Sequence, residues 1–300
     1  MRYLSCLLLL IVMSSFIESV PPVNPVSHGK EIESWREKRF ARLKSEDGWL
    51  TLIGLFWFQE GENSFGSDPS NRIVLPKGQV PDFAGSFYLE KGSVRIQIQQ
   101  GVKITSEDKP VESMVLNSDA TEKPTILDFG TLRFFVIDRG GKLGLRVRDR
   151  EHPNRKNFTG LEYYAIDMKW RIQARFEAYN PVKMIPIVNI LGMLEDTPSP
   201  GALVFSVDGK TYKLDAIAEK GETDLFMIFA DQTNGKETYG AGRYLYAAPP
   251  GPDNVVVLDF NKAYNPPCVF SHFATCPLPP HQNKLTLRID AGEKKYTAAK

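Results

Sequence analysis

The chain is 300 residues long and nearly neutral, with 37 basic against 36 acidic side chains and a net charge of +1, so it lacks the basic stripe of a nucleic-acid binder. A hydrophobic content of 42% over that length buries a full core without a metal or disulfide to hold it. The length suits one large domain or two tightly joined ones.

Met1-Arg2 supplies one positive charge, and residues 4–16 then run almost without a polar group. That stretch has the length of a signal-peptide core and falls short of the roughly twenty residues that span a bilayer. Ser19 is the small residue at the expected cleavage position, so residues 1–19 are expected to be removed and the mature chain to start near Val20. A retained membrane anchor is the alternative. Cys6 sits too early in the apolar run to be a lipidated cysteine. No second long apolar segment follows, so no membrane span is expected after cleavage, and a secreted or periplasmic location is.

Residues 20–30 are Pro-rich and read as a flexible lead-in. The globular unit is expected over residues 31–300. It opens with an amphipathic helix over 31–44, where Ile32, Trp35, Phe40 and Leu43 fall at helical spacing and Ser27 is the candidate cap. From Trp49 the pattern turns to strands, beginning with the apolar run 49–58. Lys91-Gly92, Gly140-Gly141 and Asp208-Gly209 each sit between strand-like runs and predict three tight hairpins. Residues 168–179 alternate, with Trp170, Ile172, Ala174 and Phe176 on one face. Strands are also expected over 225–230, 244–247, 255–260 and 285–289. The fold class is therefore all-β, a mainly antiparallel meander closed as a barrel or packed as a sandwich, with one N-terminal amphipathic helix. Residues 151–160 and 194–201 lack strand periodicity and are candidate seams. If the unit divides, the subdomains are 31–165 and 166–300.

Two places concentrate chemistry. Arg146, Arg148 and Arg150, with Arg155 beyond, would share one strand face, where forked guanidiniums suit a carboxylate or phosphate. A solvated face with cross-strand salt bridges is the alternative. The second place is the 231–280 segment, with Asp231, Tyr239 and Arg243 in and around Thr238-Tyr239-Gly240-Ala241-Gly242-Arg243, then Asp259, Asn261, Tyr264, Asn265 and the pair Pro266-Pro267. Stiff loops of this kind hold polar groups in fixed geometry, although Asn and Asp also simply satisfy turns. The proline pair leaves room for a cis bond at either position. Cys268, His272 and Cys276 recur at every fourth residue, which invites a metal site with Asp259 or His281 as a further ligand. That spacing shares a face only in a helix, and this stretch lies between two proline pairs. A Cys268–Cys276 disulfide is therefore expected ahead of free thiols, with metal binding through His272 behind both. Neither Gly-x-Ser-x-Gly nor His-Glu-x-x-His occurs, so the familiar serine-hydrolase and zincin signatures are absent.

Four motifs stand out together: Asp47-Gly48-Trp49-Leu50 with Gly54-Leu55 and Trp57, Arg148-Asp149 onward to Phe158, Thr238 to Arg243, and the long Asp259-Phe260-Asn261-Lys262-Ala263-Tyr264-Asn265-Pro266-Pro267-Cys268, with Ala274-Thr275-Cys276-Pro277-Leu278-Pro279-Pro280 behind it. Together they resemble the domain of unknown function 1684 family, found mainly in bacteria and archaea, and the last motif is the most specific. The resemblance implies a bacterial envelope as the destination and carries no reaction, cofactor or catalytic residue with it.

Three function classes follow. The first is a binder of a small ligand, an anion among the candidates, through the 231–280 segment, with Arg146, Arg148, Tyr239, Arg243, Asp259, Asn261, Tyr264 and Asn265 as the ligand-binding residues. The second is an envelope hydrolase with Asp259 or Asp231 as general base and Arg243 as charge stabiliser. A structural envelope protein with no small ligand is a third. No cofactor is expected, and nothing in the residues speaks to oligomeric state.

Overall fold

The structure is a computed structural model that describes residues 24–218 and 221–297. The expected signal peptide over 1–19, and Cys6 with it, lies outside the described residues. No helix among the described residues is long and apolar enough to cross a membrane.

The helix α1 spans Pro25–Lys44, so its first turns occupy residues expected to form a loose lead-in. Asn24, not Ser27, is the cap, its side chain accepting from the Val26 N–H at 2.8 Å. A proline at the first helical position has no N–H to lose and a pre-set φ, which is why a Pro-rich stretch opens a helix here. His28, Ile32 and Leu43 form its buried stripe. After α1 the chain folds back beneath its own last turn at Gly48, where a Cβ would stand 2.2 Å from the Leu43 carbonyl oxygen. Only glycine permits that approach.

The first half then runs as β1 (Leu52–Trp57), β2 (Gly61–Gly66), β3 (Ile73–Val74), β4 (Gly85–Glu90), β5 (Ser93–Ile98), β6 (Ile104–Ser106), β7 (Lys109–Val111), β8 (Ser113–Leu116), β9 (Leu127–Phe129), β10 (Leu132–Arg139) and β11 (Lys142–Asp149). They make a six-stranded sheet, β1-β11-β10-β9-β6-β7, and a five-stranded sheet, β3-β2-β4-β5-β8. Pairing is antiparallel except between β2 and β3. The two sheets close on one apolar core, Phe65, Phe87 and Ile96 from one meeting Phe134, Leu145 and Val147 from the other.

The second half holds β12 (Arg171–Val188), β13 (Leu194–Val207), β14 (Lys210–Ala216), β15 (Leu225–Phe229), β16 (Arg243–Ala247) and β17 (Val255–Asp259). A four-stranded sheet, β14-β13-β12-β17, lies with the β15–β16 pair around its own core of Leu203, Phe205, Leu214, Met227, Phe229 and Phe260 among others. Two smaller clusters join the halves. In one, Leu52 meets Ile185, Phe226, Tyr244, Cys268 and Cys276; in the other, Leu43 and Leu50 meet Phe158 and Phe270.

The molecule is thus all-β with one N-terminal helix, and all three expected hairpins are present. Lys91-Gly92, Gly140-Gly141 and Asp208-Gly209 have positive φ at both positions and join β4 to β5, β10 to β11 and β13 to β14, the backbone of a type I′ turn. Elsewhere the structure differs from the sequence reading. Residues 194–201, expected as a seam, lie in β13 and pair with the far end of β12. Both strands are exposed on one face there, and the pairing is carried by backbone rather than by apolar alternation. Residues 285–289 form no strand, although Leu285, Leu287 and Ile289 are buried as the alternation required. Their backbone bonds singly to the chain beyond β15, and the Asp231 carboxylate takes the Ile289 N–H at 2.8 Å in place of a strand partner. Among the described residues the cis peptide bond is Asn180–Pro181, not at Pro266 or Pro267.

One fully buried side chain ties several of these pieces together. Asn283 accepts from the Asp215 N–H at 2.8 Å and donates to the Asp215 and Ile228 carbonyls at 2.9 and 3.0 Å. Asn283→Ala strands all three buried backbone groups and is expected to cost roughly 2–4 kcal/mol. Urea unfolding monitored by tryptophan fluorescence checks this, as a drop in the midpoint at unchanged slope.

Candidate functional site

The arginines of β11 show how one row of like side chains divides in the fold. Arg146 and Arg148 face the same way, as strand alternation requires, and both are buried. Their guanidinium carbons each stand 5.4 Å from the Trp49 ring centre, and 5.8 and 5.6 Å from that of Phe135, so each charge rests against aromatic faces. Arg148 also reaches backbone oxygens. It donates to the Asp47 carbonyl at 2.5 Å and the Gly48 carbonyl at 2.6 Å, and to Thr51 Oγ1 at 3.3 Å. Arg150 lies beyond the end of the strand and donates to the Gly130 carbonyl at 2.6 Å.

Arg146 has no such set of partners. Among the described residues its one side-chain hydrogen bond goes to Thr275 Oγ1 at 3.3 Å and its Nε is buried without a partner, while the residue is 3% exposed. Asp119, the acid that acts on it, is already held by both terminal nitrogens of Arg139 at 3.0 and 2.8 Å. Burial, and after it the charge of Arg139, pushes the Arg146 guanidinium down to about 10. It therefore remains protonated at neutral pH, a buried cation facing open space.

That space is a cleft of about 660 Å³ between three parts of the molecule. The α1 helix contributes Trp35, Lys38, Arg39 and Arg42. The first half contributes Arg139, Arg146 and Trp49. The second contributes Phe226, Tyr244, Tyr246, Tyr264 and the stretch from Ala274 to Pro277. Five basic residues line it against two acids, Glu222 and Asp224. Arg39 is engaged by Glu293 and the Asn265 carbonyl, both at 2.9 Å, whereas Lys38 and Arg42 project from the exposed side of α1. The aromatic wall is continuous: Phe226 stacks on Tyr246 at 4.7 Å, Tyr246 lies nearly parallel to Tyr264 at 6.3 Å, and Trp35 tilts onto Tyr264 at 6.4 Å. A second depression of about 860 Å³ adjoins it, sharing Arg139, Phe226, Thr275 and Pro277.

Of the residues singled out in the sequence, Arg146, Tyr264 and Cys276 line this cleft and Arg148 lies beside it as a strut. Asp231, Tyr239, Arg243, Asp259, Asn261 and Asn265 do not line it. Arg243 is fully buried, donating to the carbonyls of Ala291 and Ile289 and to Asp231 Oδ1 at 3.3 Å. Its charge is disfavoured by burial and supported by Asp231. Asp259 accepts from His28 Nε2 at 2.7 Å and from the Asn261 N–H at 3.1 Å. Asn261 is spent between Asp259 and the backbone of Asp167. Asn265 donates to Glu293 and to the Lys294 carbonyl. Tyr239 bonds through its hydroxyl to Cys268. No group of three or more His, Cys, Asp or Glu among the described residues is placed to hold a metal ion, and Asp259 turns to His28 rather than to His272.

The expected disulfide is not formed: Cys268 and Cys276 are both free and buried. The turn at Pro267–Val269 brings them together, the Cys268 N–H donating to Cys276 Sγ at 3.0 Å. Trp35, Lys38, Arg39, Arg42, Arg139, Tyr244, Tyr246 and Thr275 were not foreseen as site residues. The helical ones read as core or solvated charge, and the sequence signal available was only their one-turn spacing beside a tryptophan. His28 was missed because it precedes the periodic part of the helix.

Residues 156–294 match the family described as "Protein of unknown function (DUF1684)". No curated protein matches the chain. Among solved structures, the chain is similar to the solution NMR structure of an uncharacterized protein of Haloarcula marismortui, at 30% identity. That match covers 47% of this chain and 79% of the other, with a TM-score of 0.40. A structure from a study of phosphothreonine-dependent FHA domain interactions matches at 15% identity, over 33% of this chain and 96% of that one, with a TM-score of 0.22. The chain belongs to the DUF1684 family.

Proposed function

We propose that this protein is exported and binds a small anionic ligand carrying an aromatic or apolar part, in the cleft floored by Arg146. One observation carries this reading: the Arg146 guanidinium is buried with no ion pair of its own among the described residues, Asp119 being held by Arg139, and its open side faces a cavity. Burying an unpaired charge is costly, and an anion entering the cleft offsets that cost with charge-assisted hydrogen bonds in a place of low dielectric. Thr275 Oγ1, which accepts from Arg146 and from Arg139 Nε at 3.2 Å, aligns the two guanidiniums on one point. The tyrosines and Trp35 supply the flat apolar wall, and Lys38 and Arg42 supply positive charge at the mouth. The volume suits a small organic molecule. The hydrolase alternative has less behind it, because Asp231, Arg243 and Asp259 line neither the cleft nor the depression beside it.

Binding is tested with anilinonaphthalene sulfonate, a planar aromatic anion, followed by fluorescence titration. Arg146→Met keeps an apolar stem and removes the charge; it is expected to weaken binding about tenfold or more, the value of a charge-assisted hydrogen bond. The same substitution removes an unpaired buried cation, so the melting temperature of the ligand-free protein is expected to stay level or rise. Equal affinity in the two proteins would sink the reading.

Export rests on residues 1–19 and has its own test. Expressed in a bacterium, the chain is expected in the periplasmic fraction with an N-terminus near Val20, read by intact mass. A cytosolic product retaining Met1 excludes it.

A further inference from the structure

We propose that Cys268 and Cys276 form a thiol–disulfide exchange site, with Cys268 the thiol that meets an external disulfide and Cys276 the thiol that resolves the adduct. This goes beyond the ligand-binding reading and does not rest on it.

The geometry assigns the two sulfurs different outlooks. Cys276 lines the arginine-floored cleft. Cys268 lines a separate cavity of about 300 Å³, bounded by Leu52, His152, Asn154, Ser271 and His272. Asn154 and His272 on its edge are exposed, so a small disulfide reaches Cys268 from outside without passing through the cleft. The backbone bond from Cys268 N–H to Cys276 Sγ, at 3.0 Å, keeps the second sulfur beside the first. Two tyrosines bond to these thiols, Tyr239 to Cys268 and Tyr244 to Cys276.

The electrostatics agree with that order. The hydrogen bond from the Cys276 thiol, and a second from the Tyr239 hydroxyl, hold Cys268 below the ordinary thiol range against the opposing effect of burial. The same hydrogen bond, followed by burial, holds Cys276 above it. Cys268 is therefore the better source of thiolate at neutral pH. Once it is capped, the thiolate that raised Cys276 is gone, and burial alone opposes loss of the Cys276 proton.

The reaction balances in two steps. The Cys268 thiolate attacks one sulfur of a small organic disulfide, forming a mixed disulfide and expelling one thiolate. Cys276 then loses its proton to solvent and attacks Cys268 Sγ, forming the Cys268–Cys276 bond and expelling the second thiolate. Two protein thiols are oxidised, and one external disulfide is reduced to two thiols.

The test uses the folded full chain and bis(2-hydroxyethyl) disulfide, followed by intact mass and peptide mapping. The wild type is expected to lose two hydrogen atoms and retain no adduct at Cys268 or Cys276, peptide mapping separating these from any adduct on Cys6 of an uncleaved chain. Cys276→Ser is expected to accumulate one hydroxyethylthio adduct on Cys268, and Cys268→Ser to react at least about tenfold more slowly. Acid quenching of the wild type at early times gives a second measurement that needs no variant, and the trapped adduct should map to Cys268. An adduct trapped on Cys276, equal rates in the two variants, or a folded wild type that stays reduced while the urea-unfolded chain reacts would each overturn the assignment.

Discussion

The placement of a guanidinium under a tryptophan governs much of this molecule. Arg148 is buried beside Trp49 and donates to the carbonyls of Asp47 and Gly48 and to Thr51, which fixes the turn between α1 and β1. That turn sets where α1 lies, and α1 supplies one wall of the cleft. Gly48 makes the same point sterically, since any side chain there would collide with the Leu43 carbonyl. Arg146, two residues earlier on the same strand face, shares the aromatic surroundings and lacks the carbonyls. Where the backbone meets the guanidinium, the charge is a strut. Where it does not, the charge is available to something else.

A similar division runs through the polar residues of the second half. Arg243 with Asp231 and Arg39 with Glu293 are ion pairs, and His28 with Asp259 is a hydrogen-bonded pair at 2.7 Å; the side chains of all three pairs are at most 11% exposed. They tie the chain before β1 and the segment after β17 to the second core. Buried polar networks of this kind rigidify and specify an arrangement, here with His28 Nδ1 and Arg243 Nε left without a partner among the described residues. Two of the three pairs anchor α1 to the C-terminal half, so the cleft's walls are held from opposite ends of the sequence.

Membership of a family does not by itself assign a reaction, and the functional argument belongs to the site. The site here combines an uncompensated buried cation, a continuous aromatic wall and a neighbouring dithiol. Thr275 joins two of these, because it accepts from Arg139 and Arg146 and precedes Cys276 directly in the chain.

Much of this protein was legible in its residues. The three hairpins follow from glycines that tolerate positive φ between alternating strands, and that property is local. The all-β class and the N-terminal helix follow from periodicity, and so do the buried positions of Leu285, Leu287 and Ile289 even where no strand forms. Arg146, singled out by strand parity, and Tyr264, singled out in a stiff loop, both line the cleft. What remained hidden was decided by partners distant in sequence. Asp231, Asp259, Asn261, Asn265 and Arg243 look like binding groups until Ile289, His28, Asp167, Glu293 and Ala291 arrive to satisfy them. Lys38 and Arg42 look like a solvated helix face until the tyrosines of the second half close a cleft in front of them. The sequence by itself determined most of the strands, the tight hairpin turns and the kinds of group available. Only the tertiary structure decided which of those groups were left without a partner, because hydrogen-bond satisfaction depends on what the fold brings within 3 Å or so of each polar atom.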